Sequence, residues 1–453
     1  MKLKCGATER VVTPPLGLNI PQCMVLNPAT GVQDDLFTHA IALEQDGQTV
    51  ILISIDTSGL GAAFTHRVRK AIYREIGVDP HAVMVSAIHI HTGGPQLMEV
   101  YWGQKEDRSV TDLFLRETVA AAVEAYRNRV PVTAHFAVGR EDRICYCRNY
   151  EMTDGTIMTN PGYRRPTKIL RPAKEIDYTL STMRFDDENG KPIGEIVNFA
   201  CHPDTVGGTE YCADFPGEMR RKLKEAYGDL HTVLFLNGCS GDVNHVDAFR
   251  FREEGFRYPK DHYKYMGGIL AEDVLALHKA LSPVEGKVLG FARKCFRAPR
   301  RQPTEEDLAW VNGMLANPAQ SKVFRRMAEE VLHLQRHPKR YALVEMQVIR
   351  IGDVFVVGFP GEPFADIGMR LRERAQPYQL VLSELANDEL GYFATEPVFS
   401  AQVYEARLPS DIFEVDVIDR MIDTADMLIK KLLRNANKMR KGNRKNEKDC
   451  IDR

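Results

Sequence analysis

Histidines follow directly after two short apolar runs of the sequence. The run 83–87 leads into His89 and His91, and the run 196–200 leads into His202. Because side chains two positions apart in an extended segment share a face, we expect His89 and His91 to point to the same side. The carboxyl ends of strands are also where α/β sheets place their ligands. These imidazoles are therefore candidates for metal binding or catalysis.

Two further apolar runs end in residues suited to a ligand site. The run 233–236 is followed by the small and polar segment 237–245, which lets a ligand approach the backbone. The run 354–359 is followed by Glu362, although a glutamate before a helix often serves only to favour the helix dipole. Two or three neutral imidazoles and one carboxylate form a ligand set suited to Zn²⁺, with an open position for water. The sequence therefore predicts a zinc site gathered from separate segments.

Runs of strand length alternate with helical patterns along the chain. The runs are 50–55, 83–87, 196–200, 233–236 and 354–359, and the helical patterns are 64–76, 110–128, 216–227 and 364–375. Nearly continuous apolar runs are typical of strands that are covered on both faces, so we expect these to be central strands. Their alternation with helices predicts an α/β fold of mixed β-sheets covered by helices.

We interpret residues 1–433 as one α/β domain. Within it, the charged helical pattern 304–337 begins with Thr304 as a helix cap and is expected to be an excursion on the surface. Residues 434–453 are rich in Lys, Arg and Asn, and burial cannot offset the entropy of ordering them. This pattern predicts a disordered basic tail.

Composition excludes several classes of partner. The 453 residues carry 60 Lys and Arg against 62 Asp and Glu, a formal net charge of −2, so no global field favours nucleic acid or an anionic membrane. No window approaches the roughly 18 consecutive apolar residues of a membrane helix, and residues 1–21 lack the apolar stretch of a secretory signal. The nine scattered cysteines predict reduced thiols. We expect a cytoplasmic protein with a small-molecule substrate.

Taken in order, the motifs resemble the catalytic domain of the neutral, non-lysosomal ceramidase family over nearly the whole chain. The matching motifs are Thr13-Pro14-Pro15-x-Gly17, His89-x-His91 with Gly94-Pro95, Asn198-Phe199-Ala200-x-His202, Gly241-Asp242-Val243, Pro360-Gly361-Glu362, and Gly391-Tyr392 followed by Tyr404-Glu405. The resemblance implies a ceramidase-like α/β fold and the hydrolysis of an amide bond.

The resemblance also implies which residues hold the zinc ion. In the ceramidase family the ligands are two histidines, a glutamate and a tyrosine, which correspond here to His89, His202, Glu362 and Tyr392. Tyr404 is the alternative tyrosine ligand. If Tyr392 binds the metal, Tyr404 is expected to line the substrate pocket.

Three other residues are implied near the reaction. His91 is expected to support the zinc-bound water or the developing oxyanion. Arg148 resembles the family's substrate-side arginine and would hold a carboxylate, phosphate or hydroxyl-rich group. Asn244 stands where ceramidases carry serine, and the next residue, His245, stands where they carry proline. The substitution favours attack by metal-activated water over a serine-dependent mechanism.

Three aspartates are candidates for supporting the metal site. Asp242 and Asp214 are interpreted as partners of histidine N–H groups, because carboxylates commonly orient metal-binding imidazoles. Asp56 follows the run 50–55 and is expected either to play the same part or to cap a turn.

The sequence thus predicts a zinc-dependent hydrolase that cleaves an amide, or less favourably an ester, in a small polar substrate. We expect long-chain ceramide to be disfavoured, because the sequence shows neither the export signal nor the additional domain of secreted ceramidases. A ceramide-type N-acyl lipid amidase and a non-catalytic metal-binding protein are the alternatives. A serine hydrolase using Ser240 is disfavoured because Asp242 stands where a nucleophile elbow requires glycine. A Cys239–His245 pair is disfavoured because a buried cysteine at a strand end is more often inert packing.

Overall fold

The computed structural model describes residues 2–451 except positions 21–26, 95, 99, 102–103, 106, 163–165, 254 and 287, and it gives the backbone alone at 100–101, 104–105, 166 and 436–451. Pro95, which belongs to one of the motifs above, lies outside the described residues. No described helix is long and apolar enough to cross a membrane.

Three main β-sheets form the centre of the described chain. In spatial order, the first sheet consists of Val130–Pro131, Lys4–Val11, Phe37–Gln45, Gln48–Ile55 and Val83–Ala87. The second consists of Thr232–Asn237, Pro192–Phe199, Thr179–Asp186, Thr133–Arg140 and Ser282–Pro283. The third consists of Leu289–Pro299, Tyr341–Ile351, Val354–Gly358 and Gln379–Ser383.

Each main sheet is antiparallel except for one parallel pair at its edge. The parallel pairs are Gln48–Ile55 with Val83–Ala87, Pro192–Phe199 with Thr232–Asn237, and Val354–Gly358 with Gln379–Ser383. Parallel neighbours need a crossover connection, and each pair has one helix between its strands: Ala62–Ile76, Asp214–Tyr227 and Ala365–Ala375 respectively. The alternating pattern of the sequence therefore corresponds to three β-α-β units, which confirms the predicted α/β class.

The expectation of central strands is wrong for two of the five runs. Val83–Ala87 and Thr232–Asn237 are edge strands of their sheets, yet every residue in both is buried. They are mostly apolar, with Ser86, Thr232 and Asn237 as exceptions, because the edge of one main sheet packs against the edge of another and excludes water.

Two asparagine side chains join the three sheets at these edges. The Asn198 amide donates to the carbonyl oxygens of Leu236 and Leu382, at 2.8 and 2.7 Å, and its oxygen accepts from the Leu382 N–H. The Asn387 side-chain oxygen likewise accepts from the Val85 N–H at 3.1 Å, and the Asn387 backbone N–H donates to the Val85 carbonyl. These bonds satisfy edge backbone groups that would otherwise be buried without a partner.

Shorter strands surround the main sheets. They pair as Asn19–Ile20 with Asn27–Pro28, Gly31–Val32 with Glu210–Tyr211, Val100–Tyr101 with Gln104–Lys105, Tyr146–Cys147 with Val243–Asn244, Glu362–Pro363 with Tyr392–Phe393, and Asn149–Met152 with both Ile157–Thr159 and Ile169–Pro172. The remaining α-helices are Arg108–Arg127, His262–Leu277, Glu305–Ala316, Lys322–Arg336, Val398–Ala401 and Asp416–Ile451. The last helix runs through most of the segment 434–453, whose disorder in solution stays a prediction.

The helical pattern 304–337 is two helices rather than one. Thr304 and Asp307 form the capping box that begins the first helix, as the sequence predicted for Thr304. The first helix ends at Ala316 because Pro318 disfavours helical backbone at Asn317, whose φ and ψ are −90° and 106°. The second helix, Lys322–Arg336, begins with Ser321 as its cap.

Candidate metal centre

The three parallel pairs direct their carboxyl ends to one place. In the first pair the segments beyond the strands supply Ser58 and His89; in the second pair they supply His202 and Ser240. The third pair supplies Glu362 and Glu384. The side chains of His89, His202 and Glu362 meet there although they are far apart in the sequence. The strand-end reasoning applied to the sequence thus identified groups that are together in space.

The orientation of both histidines is set by main-chain carbonyl groups. His89 Nδ1 lies 2.6 Å from the Ser58 carbonyl oxygen, and His202 Nδ1 lies 2.8 Å from the Ser240 carbonyl oxygen. Because a carbonyl oxygen can only accept, each Nδ1 carries the hydrogen and each Nε2 presents a lone pair. His89 adopts a φ of 74°, an unusual backbone conformation for a residue other than glycine, and it is held there with its side chain buried.

The Nε2 atoms of the two histidines and a carboxylate oxygen converge at one point. The two Nε2 atoms are 3.2 Å apart, and Glu362 Oε2 lies 3.2 Å from His89 Nε2 and 3.1 Å from His202 Nε2. The Glu362 oxygen is buried and makes no hydrogen bond. Three such atoms facing one another in a buried space need positive charge between them, which a proton on His89 or a bound cation supplies, and two imidazole nitrogens with a carboxylate oxygen suit zinc. These residues therefore fit the predicted ion.

The pKa values of Glu362 and His89 also indicate that the centre favours positive charge. Burial alone would raise the pKa of Glu362, but the adjacent imidazoles of His89 and His202 hold it well below its ordinary value. Burial lowers the pKa of His89, and the Glu362 carboxylate more than offsets this, raising it to about 10. A carboxylate held ionised in a buried site is the state that metal coordination needs.

Tyr392 is the tyrosine nearest this point. Its hydroxyl lies 3.4 Å from His202 Nε2, and Tyr392 is paired directly with Glu362 in a short parallel ladder. Tyr404 lies beyond it, with ring centroids 6.0 Å apart, and lines the adjoining cavity. The positions agree with the sequence-based choice of Tyr392 over Tyr404, and its coordination of the metal stays a prediction.

His91 lies at the boundary between the metal centre and the cavity. Its Nε2 is 3.4 Å from His89 Nε2, and the ligand atoms of His89, His91 and His202 all lie within 4.8 Å of one another. Burial and the neighbouring His89 lower the pKa of His91 to about 3, so it is neutral at neutral pH. A neutral imidazole in this place can accept a proton from a reacting group or act as a further ligand.

A cavity of about 590 Å³ opens beside the metal centre. The polar residues of its wall are His91, Arg148, Asn160, Asp204, Tyr392, Tyr404 and Thr159, and the apolar ones include Ile157, Val206, Val323, Phe324 and Val403. Val323 and Phe324 belong to the helix Lys322–Arg336. The segment predicted as a surface excursion therefore also forms part of the cavity wall.

Arg148 lines the cavity, and its charge is compensated by protein groups that are not among the described lining residues. Its Nε lies 2.7 Å from Glu405 Oε1, and its Nη2 donates to the Gly241 carbonyl at 2.7 Å. Glu405 is fully buried and also accepts a hydrogen bond from Thr159. Glu405 was visible in the sequence beside Tyr404, but nothing in its spacing marked it as the partner of Arg148.

Asn244 lies behind the cavity wall. Its amide donates to the side-chain oxygen of Asn160 at 3.2 Å, and Asn160 lines the cavity whereas Asn244 is not among the lining residues described. Asn244 is thereby placed to position Asn160. Its predicted catalytic role stays a prediction.

The interpretation of Asp242 and Asp214 as histidine partners is wrong, and Asp56, for which that part was one of two alternatives, does not play it either. Asp242 accepts from the Ala365 N–H at 2.7 Å, at the start of a helix, and Asp56 binds Arg220 through both carboxylate oxygens. Asp214 accepts from the N–H groups of Thr205 and Val206. The N–H groups of His89 and His202 donate instead to backbone carbonyls in the turns after the strands. Because every residue has a backbone carbonyl, the sequence does not reveal which one acts as the acceptor.

Glu384 is a supporting residue that sequence reasoning missed. It accepts from the Ser240 N–H and hydroxyl at 2.9 and 2.7 Å, and from the Asn237 amide at 2.8 Å, which fixes the turn whose carbonyl orients His202. Glu384 directly follows the strand Gln379–Ser383. The signal was therefore the same as for the other strand ends, in a run that was not recognised.

The two alternative nucleophiles lack suitable geometry. Ser240 Oγ bonds to Glu384, and Ser240 is not among the described residues that line the cavity. Cys239 is buried in the core, and burial raises its pKa well above the ordinary value for a thiol. His245 pairs with Asp204 at 3.0 Å rather than with Cys239.

Comparison with solved structures finds the same fold in ceramidases. The chain is similar to neutral ceramidase from Pseudomonas aeruginosa, with a TM-score of 0.71 and 15% identity over 95% of this chain and 75% of that chain. A ceramidase complexed with C2 gives a TM-score of 0.71 and 15% identity, over 95% and 76% of the two chains. No protein-family model and no curated protein matches the chain. The ceramidase-like α/β fold predicted from the motifs is confirmed.

Proposed function

We propose that this protein is a zinc-dependent hydrolase that cleaves an amide bond in a small substrate. The observation that carries the proposal is the convergence of His89 Nε2, His202 Nε2 and Glu362 Oε2 within 3.2 Å of one another beside a cavity. The ceramidase fold supports amides as the bond class. Zinc bound here would polarise a carbonyl group and lower the pKa of a coordinated water to about 7.

The residues around the centre suit the remaining needs of amide hydrolysis. His91 Nε2 lies 3.4 Å from His89 Nε2, within reach of a water bound at the centre, and is the group proposed to pass a proton from that water to the leaving nitrogen. The Tyr392 hydroxyl lies 3.4 Å from His202 Nε2, and the Arg148 guanidinium lies 5.2 Å from the Tyr392 ring centroid. Arg148 lines the cavity, where its planar guanidinium suits a polar group of the substrate.

The cavity supports a substrate of modest size. Its volume of about 590 Å³ lies within the roughly 300–1,000 Å³ of small-molecule sites. Polar groups lie near the centre, at His91 and Arg148, whereas Val323 and Phe324 give another part of the wall an apolar surface. The apolar surface at Val323 and Phe324 favours a second candidate, an N-acyl lipid amidase. The acyl chain of its substrate would lie along the helix Lys322–Arg336, to which these two residues belong.

Metal content tests the centre. We expect one zinc per chain in the purified wild type by mass spectrometry, and its loss in His89→Ala, His202→Ala and Glu362→Ala. His81→Ala is the matched control, because His81 is half exposed on the surface and should leave the zinc in place. Wild-type protein that is free of zinc and resists remetallation would contradict the proposal.

Turnover tests the reaction. The zinc-loaded protein is offered short N-acyl amides, the corresponding esters and long-chain ceramide, and release of the amine or alcohol is measured. We expect the short amides to be hydrolysed fastest. Equal or faster turnover of ceramide would favour the lipid amidase, and zinc retention without turnover of any compound would favour a non-catalytic metal-binding protein.

A further inference from the structure

Arg148 and Asp204 bring opposite charges to the cavity wall. The Arg148 guanidinium is compensated by the buried Glu405 carboxylate and by the Gly241 carbonyl, so its positive charge is largely neutralised within the protein. Asp204 differs. Among the described residues its ion-pair partner is the imidazole of His245, which contacts Oδ1 and whose pKa, despite burial, the Asp204 carboxylate raises, and no lysine or arginine lies within ion-pair distance of it.

The Asp204 carboxylate is held in place by its surroundings. Its Oδ1 lies 3.0 Å from His245 Nδ1, and the His245 ring packs against Tyr258 and His262 with centroids 5.6 and 5.9 Å apart. The segment that follows Asp204 is fixed as well, because Asp214 accepts from two of its backbone N–H groups at 3.0 Å. A carboxylate fixed in this way meets a ligand without first having to be ordered.

Asp204 also lies within reach of a substrate held at the metal centre. It is two residues beyond His202, which limits the separation of their Cα atoms to about 7 Å. Both Asp204 and the centre's neighbour His91 line the same cavity, and the His91 N–H donates to the carbonyl of Pro203, the residue between His202 and Asp204. A group a few bonds from the scissile carbonyl can therefore contact Asp204.

We propose that Asp204 is a specificity-determining residue that binds an ammonium group of the substrate. The proposed substrate class is an amide that carries a primary or secondary amine within a few bonds of the carbonyl. The inference rests on the proposed hydrolase function for the position of the scissile bond. The carboxylate itself and its exposure to the cavity are independent of that function.

An ammonium group suits this carboxylate better than a hydroxyl group does. A substrate that fills the cavity displaces water from Asp204, and the described contact with His245 compensates only the Oδ1 side of its carboxylate. Both groups can donate a hydrogen bond to the carboxylate, but only the ammonium group adds the attraction between opposite charges. A substrate carboxylate would be repelled. The expected order of binding is therefore ammonium, then hydroxyl, then carboxylate.

Three amides of equal length test this order. N-acetylethylenediamine and N-acetylethanolamine differ only in a terminal ammonium or hydroxyl group, and N-acetylglycine places its carboxylate oxygens at the same number of bonds from the amide nitrogen. Their binding to the zinc-loaded protein is measured by titration calorimetry, and their hydrolysis by amine release. We expect the ammonium compound to bind about tenfold to a hundredfold more tightly than the hydroxyl compound.

Asp204→Asn is the decisive variant, because it keeps the shape and one oxygen for His245 while it removes the charge. We expect it to abolish the preference for the ammonium compound with little change for the hydroxyl compound. Asp229→Asn, at an exposed position, is the matched control and should retain the preference. Zinc content and circular dichroism confirm that each variant is folded.

The outcomes separate the two proposals. Equal binding of the ammonium and hydroxyl compounds to the wild type, or a preference that persists in Asp204→Asn, would overturn the ammonium site. If the preference is present and depends on Asp204 but none of the three amides is hydrolysed, the ammonium site is supported and amide hydrolysis fails.

Discussion

Glu405 and Arg148 form a buried ion pair behind the wall of the substrate cavity. Glu405 Oε1 lies 2.7 Å from Arg148 Nε, at an angle that makes the contact an ion pair rather than a directed hydrogen bond. Glu405 is fully buried, and 4% of Arg148 is exposed. Because neither charge has access to bulk water, each depends on the other for compensation.

Removal of either partner should destabilise the protein strongly. Glu405→Ala leaves the Arg148 charge uncompensated, and we expect it to lower the free energy of unfolding by about 3–5 kcal/mol. The double variant with Arg148→Ala should lose much less than the sum of the two single losses. Urea unfolding of all four proteins measures this coupling. Strictly additive losses would show that the two charges do not depend on each other.

Tyr392→Phe should weaken zinc binding by at least about tenfold, because it removes the hydroxyl that lies 3.4 Å from His202 Nε2. Tyr404→Phe is the matched control: its ring centroid is 6.0 Å from that of Tyr392, and zinc affinity should stay unchanged. Competition with a fluorescent chelator gives both dissociation constants. The reverse pattern would make Tyr404 the ligand.

Gly361→Ala should disturb the position of Glu362. Gly361 has a φ of 149°, and a Cβ added there would lie 2.4 Å from the Gly391 carbonyl oxygen, in the turn that pairs Glu362 with Tyr392. We expect a loss of about 1–3 kcal/mol in the free energy of unfolding, together with weaker zinc binding. Gly268→Ala, in a helix and with open space around its Cβ, should raise stability by about 0.5–1 kcal/mol. Unchanged zinc affinity in Gly361→Ala would contradict the proposed placement.

Glu195 makes part of the stability depend on pH. It is fully buried, and although burial alone would raise its pKa, hydrogen bonds with His231 and His278 at 2.8 and 2.6 Å lower it from 4.5 to about 2. A carboxyl group whose pKa is lower in the folded state than in the unfolded state stabilises the fold at every pH above the unfolded-state pKa. That contribution, about 3 kcal/mol, is lost as the pH falls from 4.5 toward 2.

The pH dependence is measured by urea unfolding across the acid range. Wild type should lose stability faster than Glu195→Gln as the pH falls below 4.5, because the amide cannot be protonated in this range. Glu253→Gln, at an exposed position, should follow the wild type. Parallel curves for wild type and Glu195→Gln would show that Glu195 does not contribute.

Much of the fold was predictable because each β-α-β unit has a local pattern. The apolar runs 50–55 and 354–359 lie within one or two residues of the strands Gln48–Ile55 and Val354–Gly358. Which strands pair at sheet edges was not predictable. An edge strand that is buried against another sheet has the same apolar composition as a central strand, so composition does not distinguish the two.

The part of the metal centre that consists of side chains was predictable from the sequence. His89, His202 and Glu362 follow strand ends, and the motifs placed them in one site. The groups that orient the histidines were not predictable, because they are backbone carbonyls, and aspartates were chosen in their place. Glu384 and Glu405 act through contacts between residues more than 140 and 250 positions apart, as in Glu384 with Ser240 and Glu405 with Arg148.

The use of main-chain acceptors has a consequence for how this site tolerates mutation. A carbonyl oxygen is present whichever amino acid occupies position 58, and the Ser58 hydroxyl itself is buried without a hydrogen-bond partner. A change such as Ser58→Ala therefore preserves the acceptor of His89 and its tautomer. Position 58 can therefore change to any side chain that fits its buried space and keeps the shape of the turn, whereas His89 supplies the ligand atom itself.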